Sequence, residues 1–324
     1  MKLVKRVLSL ALVGVMAVAC LAGCGKKEES EVRVGVLKGP TGIGAVQIMA
    51  MSDNDEYEKY DFTLTSDTTD IVARLTNGDL DIGALPTNVA LNLYNKTNGG
   101  VQMIAINCTG VLYILENGNS INSVKDLKGK TVYTIGQGSN PEYVLNYILR
   151  QNGLEPGTDV DIQYKDASEV STLMISGGAE VCMLPVPAVT TILMKNTNVR
   201  KALDVTTEFR NAANDGSELT MGCLVATTDF INEHPDDVKL FLERYEKSIK
   251  TVLDDIDAAA ELVAQYEITG SAAIAKAAIP DCGIVCITGK DMKPAIDGYF
   301  KVLYDASAQS VGGKMPEDDF YYSK

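Results

Sequence analysis

One pattern is written twice in this chain, 99 positions apart, and it constrains the fold more than any other feature. The segment Asp67 to Leu93 reads DTTDIVARLTNGDLDIGALPTNVALNL, and Asp166 to Ile192 reads DASEVSTLMISGGAEVCMLPVPAVTTI. Aligned without a gap, Asp67 falls on Asp166, Gly78 on Gly177, Asp81 on Glu180, Leu85 on Leu184 and Pro86 on Pro185. Each copy spells a helix, a Gly-containing turn, a short apolar strand, a Leu-Pro stop and a second helix. Two matched α/β units imply two similar lobes, and a cleft between lobes is a usual place for a small molecule. Where the copies agree they describe scaffold. Where they differ, Thr87-Asn88 against Val186-Pro187, they are expected to face one another across the cleft.

The first thirty residues bear on location. Lys2, Lys5 and Arg6 precede Val7–Val18, which is apolar apart from Ser9 and Gly14. That is a positive n-region and an h-region of secretory length, too short for a good membrane span. It ends in Leu21-Ala22-Gly23-Cys24, which resembles a bacterial lipobox, where the Cys is lipidated and becomes the first mature residue. Residues 1–23 therefore read as a lipoprotein signal peptide and 24–30 as a polar tether, with Cys24 the lipidation site. The expected location is the extracytoplasmic face of a bacterial cell membrane.

With 43 acidic and 29 basic residues the chain carries −14, which argues against nucleic acid and against docking on anionic lipid by charge. Five cysteines remain beyond Cys24 at irregular spacing: Cys108, Cys182, Cys223, Cys282 and Cys286. An odd, irregular set is not a disulfide framework, and all but Cys282 sit in apolar runs as small core residues. His234 is the single histidine, at a helix start beside Pro235, Asp236 and Asp237. With one His, no HExxH and no Gly-x-Ser-x-Gly elbow, neither a catalytic triad nor a zinc site is expected, and no cofactor. The protein reads as a non-enzyme.

Apolar runs that read as strands alternate with helical stretches, the sign of α/β lobes with largely parallel sheets. The strands expected are Val32–Leu37, Asp61–Thr65, Ile82–Leu85, Val101–Asn107, Tyr113–Leu115, Thr131–Ile135, Val160–Tyr164, Val181–Leu184 and Leu219–Ala226. The last third reads as helical. In it Val238, Phe241, Leu242, Tyr245, Ile249 and Val252 recur at spacings of three and four as a buried face. Asn211–Ser217 reads as a polar surface loop.

The run Asn122-Ser123-Val124-Lys125-Asp126-Leu127-Lys128-Gly129-Lys130-Thr131-Val132 resembles the opening of the second lobe in type II periplasmic-type solute-binding proteins. The similarity continues through Gly136-Gln137-Gly138-Ser139-Asn140-Pro141, Gly153-Leu154-Glu155-Pro156-Gly157-Thr158-Asp159-Val160 and Phe230-Ile231-Asn232-Glu233-His234-Pro235. Among these proteins, the branch handling sulfonates, nitrate, taurine and thiamine precursors fits best. The resemblance spans essentially the whole chain after the tether. It implies a two-lobed receptor joined by crossover hinge strands, feeding a small molecule to the permease and ATPase of an ABC importer, and working as a monomer. It also makes lobe one discontinuous, 31–109 plus 220–324, with lobe two at 110–219. Two other readings stand beside this one: a sensory lipoprotein without transport, and a thiamine-pyrimidine-precursor synthesis enzyme on the same fold.

In α/β lobes, ligands sit beyond the carboxyl ends of the strands, where loops run into helix N-termini. That rule selects Gly39, Thr41 and Gly42 after the first strand, a glycine turn that is neither a Walker loop nor a dinucleotide fingerprint. It selects Asp67, which is equally a helix N-cap, and Thr87 with Asn88, equally a helix start. In lobe two it selects Gln137, Ser139 and Asn140 ahead of Pro141, equally an ordinary cap, and Val186 as an apolar wall. Only Lys38 lies next to a candidate loop, which favours a small polar or heteroaromatic metabolite over a strong anion; with no Trp, a flat ligand would have to stack on a residue such as Tyr113 or Tyr143.

Overall fold

The structure is a computed structural model that describes residues 31–54, 56–57 and 60–323. The signal peptide 1–23, the tether 24–30 and the lipidation site Cys24 lie outside the described residues.

Two sheets organise the chain. The first holds β1 (Val32–Leu37), β2 (Tyr60–Thr65), β3 (Ile82–Pro86), β4 (Val101–Thr109), β10 (Thr220–Thr227) and β11 (Ile284–Ile287), in the spatial order β11-β4-β10-β3-β1-β2. The second holds β5 (Leu112–Asn117), β6 (Thr131–Thr134), β7 (Asp161–Tyr164), β8 (Val181–Pro185) and β9 (Val199–Asp204), in the order β7-β6-β8-β5-β9. Read from their outer parallel strand, both sheets share one plan: β2-β1-β3-β10-β4 matches β7-β6-β8-β5-β9. The expectation of largely parallel sheets needs one correction. In each lobe the strand that arrives from the other lobe, β5 or β10, runs antiparallel to both its neighbours. Each sheet is therefore mixed, because a chain crossing between lobes enters its new sheet from the cleft side.

Helices cover the faces. They are α1 (Pro40–Asp53), α2 (Thr68–Asn77), α3 (Thr87–Thr97), α4 (Asn140–Gln151), α5 (Ala167–Ser176), α6 (Ala188–Lys195) and α7 (Val205–Ala213). The C-terminal third adds α8 (Thr228–Glu233), α9 (Pro235–Asp254), α10 (Ile256–Gln265), α11 (Ala272–Ala278) and α12 (Met292–Ala306). Along α9, Val238, Phe241, Tyr245, Ile249 and Val252 are buried at the spacing read from sequence. Each such side chain contributes about 1.5–3 kcal/mol on burial. Leu242 sits at the margin of that face and is only half-buried.

The repeat is explained residue by residue. Gly78 and Gly177 end α2 and α5 in the left-handed region, both at φ 76°, where a side chain would strain the backbone. Asp81 and Glu180 both anchor the base of the neighbouring strand. Arg33 donates to both Asp81 oxygens, through Nε at 3.0 Å and Nη2 at 2.5 Å, and Lys130 pairs with Glu180. A carboxylate at this position thus pairs with a cation at the foot of β1 or β6.

The sequence reading missed β9, α7 and β11. It also began its surface loop too early: Asn211–Ala213 belong to α7, and Ser217 is buried, its hydroxyl accepting from Gly298 N at 3.1 Å. Of the cysteines, Cys108, Cys182, Cys223 and Cys282 are buried and Cys286 is half-buried; all five are free thiols.

Candidate functional site

The two lobes meet along the carboxyl ends of β1, β3, β6 and β8, and a helix begins at each of those ends. None of these four helices, α1, α3, α4 and α6, receives a side-chain cap among the described residues. Three of them, α1, α3 and α6, also have no acidic residue in the first turn, in a chain carrying −14 overall. Among the helices that begin elsewhere, α5, α9 and α12 are likewise without a side-chain cap, whereas α2 and α7 have one. After the edge strand β2, Asp67 caps α2 by accepting from Thr69 N at 2.8 Å, and after β9, Asp204 caps α7 from Thr206 N at 2.9 Å. The four uncapped starts gather main-chain N–H groups and positive dipole ends at the lobe seam.

At the end of β1, Gly39 has φ 111°, a conformation suited to glycine, and α1 starts at Pro40. Thr41 spends its hydroxyl on Leu37 O at 3.1 Å, and a Cβ on Gly42 would lie 2.7 Å from that same carbonyl. The turn is held from beneath by α9. Ser248 Oγ donates to Gly44 O at 2.6 Å, and Tyr245 Oη reaches Thr41 O at 3.5 Å while Asn107 Nδ2 donates to Tyr245 Oη at 3.3 Å. Asn107 and Tyr245 were not selected from sequence, because a long-range support through the lobe leaves no local pattern.

At the end of β3, Thr87 is fully buried and its hydroxyl donates to Thr220 O at 2.8 Å, within its own lobe. Asn88 behaves otherwise: its Oδ1 accepts from Asn140 Nδ2 at 2.9 Å, across the seam from the first turn of α4. Asn140 is nearly buried, and its own Oδ1 has no hydrogen-bond partner among the described residues; nor do Tyr299 Oη on α12 and Thr220 Oγ1. Burial pushes the Tyr299 phenol up. Ser139 turns its hydroxyl back to Gly136 O at 2.7 Å, and Gln137 is exposed in the same turn. Asp67 is exposed and engaged as a cap.

The facing expected of Thr87-Asn88 and Val186-Pro187 is corrected here. Asn88 meets Asn140, at the end of β6, whereas Val186 donates its N–H to Val111 O at 3.0 Å. Val186 shares a hydrophobic cluster with Ile43 and Val46 of α1, and α6 packs on α11 of the first lobe. The β3 end is thus apposed to the β6 end, and the β8 end lies on the side of the β1 end. Two lobes related by a two-fold-like turn bring unlike strand ends together, so positions equivalent in the repeat do not touch.

On the second flank of the seam, Lys201 of β9 bonds both oxygens of Asp281, at 2.7 and 2.8 Å, with its ammonium 5.1 Å above the Tyr113 ring. Burial, then the Asp281 and Asp204 carboxylates, push the Tyr113 hydroxyl up. A third orphaned hydroxyl-bearing position at a seam helix is Thr190, buried in the first turn of α6.

Other chemistry lies away from the seam. His234 stacks on Phe230 with centroids 5.2 Å apart and sits 3.4 Å from Asp237 Oδ2. It lines a cavity of about 690 Å³ with Arg33, Asp81 and Val101, at the opposite ends of the first sheet's strands. Burial holds the Cys182 and Cys286 thiols up at about 12, far from reactive thiolates. Among the described residues no group of three His, Cys, Asp or Glu could hold a metal ion, and no helix is long and apolar enough to cross a membrane.

Two mixed sheets sharing one strand order, each flanked by helices and joined by crossing strands, define a two-lobed α/β protein of the type II periplasmic-binding fold. Residues 64–259 match the family described as NMT1/THI5 like, and the chain belongs to that family. The chain is similar in fold to an ABC transporter protein from Parabacteroides distasonis, at TM-score 0.76 and 22% identity over 91% of this chain and 99% of that one. It is likewise similar to the periplasmic aliphatic sulphonate binding protein SsuA of Escherichia coli, at TM-score 0.69 and 15% identity over 91% and 94%. A putative sulfonate-binding protein from Methylobacillus flagellatus gives 0.65 and 17% over 90% and 91%. No curated protein matches the chain.

Proposed function

We propose that this protein is the extracytoplasmic solute-binding component of an ABC importer, anchored by lipid at Cys24. The observation that carries the reading is the set of four uncapped helix starts at the seam, with Asn140 bridging the lobes. Such an arrangement offers main-chain N–H groups from both lobes to one acceptor-rich molecule, and a molecule touching both lobes favours the apposed state by its differential affinity. Its neighbours in fold include proteins described as sulfonate-binding, which suits the same reading.

The cargo we infer is a small polar or heteroaromatic metabolite. Its oxygens or ring nitrogens would take N–H groups near Gly39, Thr41 and Gly42 and around Gln137, Ser139 and Asn140. Asn88, Asn140 Oδ1 and Tyr299 would meet its donors, and Val186 would give an apolar wall. Lys201, a cation at the second flank, is engaged by Asp281, and Lys38 at the β1 end lies 4.0 Å from Glu267, which counts against a strong anion held by side-chain charge. Asp67 and Thr87 keep partners of their own and serve the site through scaffold.

We read the protein as a non-enzyme, since the NMT1/THI5-like enzyme alternative would need a reactive group at the seam and His234 lies at the far end of lobe one. The lobe limits we adopt are 31–109 plus 220–324 and 110–219. Thermal-shift screening of residues 24–324 against pyrimidines, vitamins, sulfonates and nitrate tests the reading. A ligand present at 100 times its Kd should add about 2.7 kcal/mol of stability. No stabilisation by any of these classes would count against a receptor. Release of a Cys24→Ala variant into the medium would support the anchor, and unchanged retention would refute it.

A further inference from the structure

We propose that the Lys201–Asp281 ion pair is an electrostatic latch that sets how readily the two lobes part. Lys201 travels with the second lobe, on the edge strand β9. Asp281 belongs to the first, in the short turn Ile279–Asp281 between α11 and β11. The second lobe grips this one residue twice. Lys201 Nζ bonds both carboxylate oxygens, and Tyr113 Oη donates to the Asp281 main-chain carbonyl at 3.4 Å.

The residues that follow Asp281 hold the outgoing crossover. Cys108 Sγ donates to Cys282 O at 3.3 Å, and Thr109 N donates to Gly283 O at 2.8 Å. Gly283 has φ 56°, and a Cβ there would lie 2.5 Å from Thr109 Oγ1, so the turn is pressed against the crossover. Asp281 is therefore fixed to the stationary side of the hinge, one residue before the clamp. Lys201 sits on the moving side. Rotation about residues 109–111 moves the ammonium relative to the carboxylate and so strains the pair.

The two flanks of the seam are chemically unlike. Asn88 and Asn140 make a neutral amide contact that salt does not screen. Lys201 and Asp281 are opposite charges whose side chains are 38% and 20% exposed, within reach of counter-ions. The consequence is a lobe equilibrium that responds to ionic strength through the Lys201–Asp281 flank. Only its consequence for ligand affinity rests on the solute-binding reading; the latch itself is a property of the two lobes.

Hydrogen-exchange mass spectrometry on the full chain, without added ligand, tests this. The informative amides are those of Gly138–Tyr143, on the flank away from the latch, which a local packing defect at position 201 would not reach. Lys201→Met and Asp281→Asn are each expected to speed exchange there about two- to fivefold, the range of a partly exposed ion pair. The exchanged pair Lys201→Asp with Asp281→Lys should restore protection. Raising salt from about 0.01 to about 1 M should speed the wild type and leave Lys201→Met unchanged. Effects confined to peptides containing positions 201 or 281 would overturn the proposal, as would a wild type indifferent to salt. Because no ligand is added, that failure would leave the receptor reading to its own thermal-shift test.

Discussion

Gly110 is the tightest point of the hinge, and replacing it with alanine should show this in numbers. It lies on the outgoing crossover between β4 and β5. A Cβ there would sit 2.0 Å from Thr206 Oγ1, 3.1 Å from Thr206 Cβ and 2.9 Å from Leu219 Cδ2. Thr206 opens α7 and Leu219 precedes the return strand β10, so the outgoing chain is pressed against both ends of the returning one. Ordinary carbon contacts lie at about 3.5–4.0 Å, so roughly 1.5 Å of movement is needed at Thr206. Thr206 is buried and stiff at χ1, and Leu219 is fully buried, so neither yields freely. Overpacking of this kind costs about 1–3 kcal/mol. Denaturant unfolding of Gly110→Ala, Thr206→Ala and the double variant would measure it. Removing the hydroxyl takes away the worst contact, so the double variant should recover about 1 kcal/mol of coupling. The reasoning fails if Gly110→Ala unfolds at the wild-type midpoint, or if the two changes add within about 0.3 kcal/mol.

Glu116 is fully buried and accepts from Ser120 N and Oγ at 2.6 Å each, from Ile121 N at 3.2 Å and from Arg200 Nη2 at 2.7 Å. Burial alone would raise its pKa, but these donors outweigh burial and hold it below the usual carboxylate range. Its stabilisation is thus present above the unfolded-state value of about 4.3 and is lost as pH falls through the folded value. Glu116→Gln should cost about 2–3 kcal/mol at pH 7 in urea unfolding, with the deficit shrinking below about pH 4; a deficit constant with pH would refute the ionised role. Asp67→Ala should lose about 1 kcal/mol of stability as a lost cap while leaving ligand affinity unchanged by calorimetry. Asn140→Ala, which removes both the bridge to Asn88 and the orphaned acceptor, should weaken the binding of any screened ligand by about tenfold or more. Equal affinity would show that the ligand does not use this flank.

The scaffold was largely legible because its strongest signals are local. Apolar runs ending in Leu-Pro marked β3 and β8, and the glycines at 78 and 177 marked helix ends that require a left-handed residue. The missed elements lack such signals. In β9, Arg200 and Lys201 interrupt an apolar pattern because each serves a distant carboxylate, Glu116 and Asp281. In α7 the buried face is Val205, Thr206 and Phe209, whose middle member looks polar in sequence. β11 has four residues and lies between glycine turns. The seam between the lobes was legible as strand ends but not as pairings. Sequence order aligns β3 with β8, whereas contact depends on how one lobe is turned on the other. Nothing local to Asn140 announces that its partner lies 52 residues away.

That crossed pairing decides how the two copies of the repeat share the seam. Because the β3 end meets the β6 end and the β8 end lies toward the β1 end, the duplicated chain builds two half-sites, each assembled from both copies. A change at one strand end therefore alters one half-site and leaves its counterpart intact. The opposite pair of strand ends keeps the contacts that hold the lobes together, so the two sides of the seam can be altered one at a time.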